Sequence, residues 1–184
     1  MLVLGIDPGS HSTGFAFLLN KSTSKDPKVL EYGTIKAPRR AELPLRLKYI
    51  CHELEQRIGV YKPQHLAMEE SFFAKNPRTA LVLGHARGAI MATALRYDIE
   101  IAEYSPSSIK KAVTGNGGAS KEMVAKMVKL LLNLREIDDS TDATDALAIA
   151  LAFLHNQREK PKLANTISPE VLKLLARSKG RHRR

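Results

Sequence analysis

Cysteine is almost missing from this chain: Cys51 stands alone among 184 residues. A single thiol excludes an intramolecular disulfide framework and fits a reducing cytoplasm, the expected location. It also excludes metal sites built from cysteine clusters, so any metal must be held by oxygen or imidazole. No apolar run approaches the length of a membrane span. The amino terminus enters a strand-like run at once, so no signal peptide is expected. No internal repeat is visible either. Acid is scarce relative to base, with 19 Asp and Glu against 29 Lys and Arg, a formal net charge of +10. A basic excess of that size favours a polyanionic partner, most often nucleic acid. The charge is uneven. Residues 157–184 carry nine Lys or Arg against Glu159 and Glu170, a net +7. A basic tail alone is also compatible with a solvated arm, so charge does not identify an enzyme.

The composition, 43% hydrophobic and 26% charged, suits one soluble domain. Leu2-Val3-Leu4-Gly5-Ile6 has the length and content of a buried strand; it delivers Asp7 and then breaks at Pro8-Gly9. Runs from Thr13 to Asn20 and Val29 to Lys36 complete an antiparallel meander. Leu43, Leu47, Ile50, Cys51, Leu54 and Ile58 follow helical spacing, with Arg46, Lys48, Glu53, Glu55 and Arg57 assigned to the opposite face. This helix is expected to end near Gly59, and Cys51 is read as packing. A strand follows at 64–69, and Asn76-Pro77 should start a helix to about Tyr97. That helix carries Ala80, Gly84, Gly88 and Ala92 at four-residue steps. Intramolecular packing is the favoured reading of this stripe, with a dimer seam as the alternative.

Ile99–Tyr104 reads as a fifth strand, Ser105-Pro106 as a helix start, and Ser120 as the cap of a helix to about Leu132. Glycines 115–118 form a loop that could offer N–H groups to a phosphate or act as a hinge. Residues 142–156 read as a buried helix. The expectation is one α/β layer fold with a five-stranded mixed sheet flanked by helices. Residues 1–156 would form the domain, and 157–184 a basic tail, partly helical or disordered.

Four acids stand at the ends of these elements. Asp7 closes the first strand, Glu69 the fourth, and Asp142 and Asp145 share the first turn of the last helix. Singly, each has a bland reading: Asp7 as a turn cap, Asp142 and Asp145 as something close to a capping box. Together they would repel unless a cation lay among them. Hard divalent ions prefer such oxygens, and two ions beside a phosphate suit in-line phosphodiester hydrolysis. Pro8-Gly9 would keep bulk away from that phosphate.

The segments Gly5-Ile6-Asp7-Pro8-Gly9-Ser10-x-x-Thr13-Gly14, Glu69-x-x-Phe72-x-Ala74-Lys75-Asn76, Gly84-x-Ala86-Arg87-Gly88 and Asp142-Ala143-x-Asp145-Ala146-Leu147 occur in this order. As an ordered set they resemble the RuvC family of bacterial Holliday-junction resolvases, over about residues 1–155. The resemblance implies an RNase H-like fold, a homodimer, and symmetric nicking of two like-polarity strands of four-way junction DNA. It implies Mg²⁺, two ions per subunit and replaceable by Mn²⁺, held by Asp7, Glu69, Asp142 and Asp145. It places Phe72 against a base near the crossover, and Lys110 and Lys121 on the DNA backbone, with Lys121 supporting the scissile phosphate. Lys75 and Lys111 join the DNA-contacting set, and a branch-migration helicase of the RuvA and RuvB type becomes the expected partner. Glu70 departs from the pattern, where an uncharged residue such as Gln is expected. An RNase H-fold nuclease acting on another structured DNA or RNA remains the alternative. An actin-like or sugar-kinase ATPase would need two duplicated lobes, which this length does not hold.

Overall fold

The computed structural model describes residues 1–21, 26–70, 76–135 and 141–159. Five strands, β1 (Leu2–Asp7), β2 (Ser12–Leu19), β3 (Lys28–Lys36), β4 (His65–Glu69) and β5 (Glu100–Tyr104), form one sheet in the order β3-β2-β1-β4-β5. The β1-β2 and β2-β3 pairs are antiparallel, whereas β1-β4 and β4-β5 are parallel. The meander and the crossover connections predicted from sequence are thus both present. β1 lies at the centre, which explains its unbroken apolar run: Val3, Leu4 and Ile6 are fully buried because helices cover both faces of the sheet.

Two helices, α1 (Leu43–Tyr61) and α2 (Pro77–Leu95), lie on one face. There Ile50, Leu54, Ile58 and Ile90 pack on Leu4, Ile6, Phe17 and Met68. On the other face lie α3 (Pro106–Thr114), α4 (Lys121–Leu131) and α5 (Thr141–Glu159), which pack on Val3, Ala16, Leu18 and Ala67. The expected caps are in place: Asn76 Oδ1 accepts from Arg78 N–H, Ser105 Oγ from Ser108 N–H and Ser120 Oγ from Met123 N–H. No helix among the described residues is long and apolar enough to cross a membrane.

α1 ends at Tyr61, near Gly59 and before Pro63 as expected, with Lys62 in the left-handed region (φ 52°). Cys51 is free and half-buried. Other expectations are corrected. Arg46 does not belong to the polar face: it is buried, and its Nη1 donates to Nε2 of His11 in the β1–β2 turn. The small-residue stripe of α2 does not pack inside the fold. Gly84, Gly88 and Ala92 are exposed, and a Cβ added at either glycine would touch nothing. The buried side of α2 is Ala86, Arg87, Ile90, Thr93 and Ala94. α5 runs from Thr141 to Glu159, past the end near Asn156 expected for that helix, and the tail from 160 lies outside the described residues.

Candidate active site

Side chains alternate along a strand. In β1, Leu4 and Ile6 face α1 and α2, so Val3, Gly5 and Asp7 face α5. In β4, Leu66 and Met68 face α1 and α2, so Ala67 and Glu69 face α5. These parallel strands pair Ile6 with Met68, which puts Asp7 and Glu69 side by side at the carboxyl end of the sheet. Glu70 is exposed, and its N–H donates to the Tyr104 carbonyl (2.8 Å).

α5 reaches this edge because two glycines clear its path. A Cβ at Gly5 would strike the Ala146 carbonyl oxygen and crowd the Ala150 side chain; one at Gly14 would land on the Asp142 carbonyl oxygen. With hydrogens there instead, the first turn of α5 lies directly on β1 and β2. Asp142 and Asp145 therefore arrive beside Asp7. At Gly9 a Cβ would strike the Ser12 carbonyl oxygen, so the turn itself needs this glycine.

The electrostatics record how close the acids are. Asp7 is pushed up to about 7, first by burial and then by repulsion from Asp145, Asp142 and Glu69, with Lys121 opposing. Burial also raises Glu69, reinforced by Asp145 and opposed by Lys121, Arg87 and Lys110. Asp145 is raised by burial, against Lys121. Lys121 Nζ lies 3.6 Å from Asp145 Oδ2. The carboxylates are nonetheless splayed: no group of three or more His, Cys, Asp or Glu side chains among the described residues is closed into a ready cage. Asp142 Oδ2 accepts from Ser12 Oγ, while Asp145 leans towards Lys121. Rotation of these side chains inward would present only oxygen donors. Such a set, too rich in negative charge for one lysine to balance, fits hard divalent cations.

The structure thus brings together Asp7, Glu69, Asp142, Asp145, Lys110 and Lys121. Lys111 is on α3 but turns towards the end of α5. Phe72 and Lys75 lie outside the described residues. The glycine loop is not a vacant phosphate nest. The N–H groups of Gly115, Asn116, Gly118 and Ala119 bond within the loop or to α3.

Two contributors were not assigned from sequence. Ser12 holds Asp142 across 130 residues of chain, a contact no local pattern reveals. Arg87 is buried; its guanidinium donates to the Glu69 carbonyl and to the Glu103 carboxylate, tying α2 to the ends of β4 and β5. A charged residue on the inward side of α2, between Ala86 and Ile90, was the available signal for it.

The family model described as "Crossover junction endodeoxyribonuclease RuvC" matches residues 3–153. The chain belongs to the RuvC family. This is a family of metal-dependent nucleases. A crossover junction endodeoxyribonuclease RuvC from Syntrophomonas wolfei subsp. wolfei is 42% identical over 158 residues, covering 86% of this chain and 91% of that protein. One from Chloroherpeton thalassium is 44% identical over 151 residues, covering 82% of this chain and 80% of that protein. Among solved structures, the RuvC of Thermus thermophilus in complex with a Holliday junction substrate superposes with a TM-score of 0.81. Its identity is 31%, over 86% of this chain and 95% of that one. The RNase H-like architecture expected from the RuvC resemblance is therefore present.

Proposed function

We propose that this chain is a crossover junction endodeoxyribonuclease that resolves Holliday junctions by paired, symmetric nicking of two like-polarity strands. One observation carries the reading: four carboxylates from three elements meet at the carboxyl edge of the sheet, where burial first, and then repulsion from the other three, pushes Asp7 up to about 7. In a basic chain of the RuvC family, that crowding suits divalent ions bound beside a phosphate. Asp7, Glu69, Asp142 and Asp145 would hold them, as Mg²⁺, two per subunit, with Mn²⁺ able to substitute. When bound, the ions supply Lewis-acid stabilisation of the charge that develops in phosphodiester hydrolysis.

The remaining work belongs to the protein. Asp7 must lose its proton before it can serve as a ligand, and Ser12 and Arg87 fix the positions of Asp142 and Glu69. Lys121, whose side chain is 76% exposed, is free to swing from Asp145 to the scissile phosphate. Lys110 adds positive charge beside Glu69. Phe72 stacks on a base near the crossover, and Lys75 contacts the backbone.

Symmetric cutting needs two centres, hence a homodimer. The exposed face of α2, with Leu81 and Leu95 flanking Gly84, Gly88 and Ala92, supports a second copy seated there. The protein acts in the cytoplasm with a branch-migration helicase of the RuvA and RuvB type. Incubation with a four-way junction and Mg²⁺ should give paired, ligatable nicks, and Asp7→Asn should abolish cutting while junction binding survives. Metal-independent cutting, or normal cutting by that variant, would overturn the reading.

A further inference from the structure

Lys110 and Lys111 are neighbours in sequence but point about 100° apart on α3. Lys110 bears on Glu69. Lys111 instead lines a separate cavity of 440 Å³ between α3 and the last turns of α5. Tyr104 of β5, Ser108, Lys111 and Gly115 of the α3 segment, and His155 and Asn156 of α5 form its walls. An ammonium, an imidazole, a carboxamide and two hydroxyls line one space, and none of its described lining residues is an acid. Asn156 also hydrogen-bonds Tyr104, which steadies the wall between β5 and α5. Gly115, left-handed at φ 78°, closes α3 without putting a side chain into the opening.

The ligand that suits donors of this kind, gathered about one fixed positive charge, is a phosphate oxyanion. Position selects its source. Tyr104 pairs in register with Glu69, so the cavity begins one strand spacing, about 4.8 Å, beyond the catalytic edge. A nucleic-acid strand crossing Glu69 reaches it within a few nucleotides. The sequence just past His155 and Asn156 continues with Arg158, Lys160 and Lys162, so the chain adds basic residues soon after the cavity's last lining residue.

We propose that this cavity is a second backbone-phosphate site. It grips one phosphodiester of the strand leaving the catalytic centre. The inference rests on the nuclease reading above, but it concerns grip and not cutting.

The test uses the full-length protein and a labelled four-way junction in EDTA, with binding followed across a salt series. If about six phosphates are contacted, the wild-type log–log slope is about −5. Lys111→Gln should weaken binding roughly tenfold and make the slope less negative by about 0.9, the loss of one phosphate contact. His155→Gln should weaken binding in the same direction, and Lys48→Gln, an exposed lysine on α1, should leave the slope as it was. A Lys111→Gln slope equal to that of wild type or Lys48→Gln would overturn the proposal. So would binding of inorganic phosphate that depends on Lys111 while junction affinity does not, since the cavity would then be a small-anion site. A wild-type protein that binds the junction with this Lys111 dependence but never cuts it would overturn the nuclease reading alone.

Discussion

Asp7 is a carboxylic acid whose surroundings disfavour its charge, and the metal-free protein bears the cost. Its folded value of about 7 lies above the ordinary 3.8. Below both values the group is neutral whether the chain is folded or not. As pH rises from about 4 through 7, the unfolded chain ionises first and the fold loses stability. Glu69 and Asp145 are raised as well and act in the same direction. Thermal melts in EDTA should therefore show a higher midpoint at pH 5 than at pH 8. Asp7→Asn should be the more stable protein at pH 8, by on the order of 1–3 kcal/mol. A midpoint that rises with pH over this range would contradict the crowding described here. Ser12 makes a contact of a different kind, a hydroxyl donating to a carboxylate, typically worth about 1.5–3 kcal/mol. Ser12→Ala should lower the single-turnover cutting rate about tenfold with junction affinity unchanged, and Ser12→Thr should restore most of it. If Ser12→Ala lost affinity instead, the residue would be touching DNA and not orienting Asp142.

Among the elements, α5 decides whether a site exists, because it carries two of the four acids and meets the sheet through glycine. Gly14→Ala would push a methyl group into the Asp142 carbonyl oxygen, and backbone cannot yield as a side-chain tip can. The expected result is a loss of about 1–3 kcal/mol, the usual range for overpacking, together with a large fall in cutting. Denaturant melts and cleavage assays on the same preparation would check both. A variant with unchanged stability and activity would mean that α5 stands further off. What the sequence made legible at this scale follows a pattern. Caps at Asn76, Ser105 and Ser120 were readable because their chemistry is local. Burial along α1 was partly misread because Arg46 is polar by type but buried by position, where the guanidinium reaches His11. The α2 stripe was misread for a related reason: periodicity finds a face of small residues, but not whether that face turns inward. The inward face of α2 holds Arg87, whose partners Glu69 and Glu103 lie 18 and 16 residues away.

At the scale of the whole molecule, the strand order was readable because each connection constrained it. Short links made the β1-β2-β3 meander antiparallel, and the helices between β3, β4 and β5 forced crossovers. The four acids could be recognised as a set because each sits at an element end on one edge of that sheet. Ser12 could not be added to them, since its partnership with Asp142 exists only after the β1–β2 turn and α5 have docked. A further cavity of 710 Å³, lined by Ile58, Tyr97 and Glu100 among others, lies at the opposite end of β4 and β5, away from the acids. Cavity volume therefore does not locate the chemistry, whereas a buried carboxylate repelled by its neighbours does. The most direct test of that location is anomalous scattering from crystals of the protein soaked in Mn²⁺. Two peaks among Asp7, Glu69, Asp142 and Asp145, with Asp145 turned inward from Lys121 and Asp142 still accepting from Ser12, are predicted. Manganese bound elsewhere, with these four side chains still splayed at saturating ion, would contradict the account.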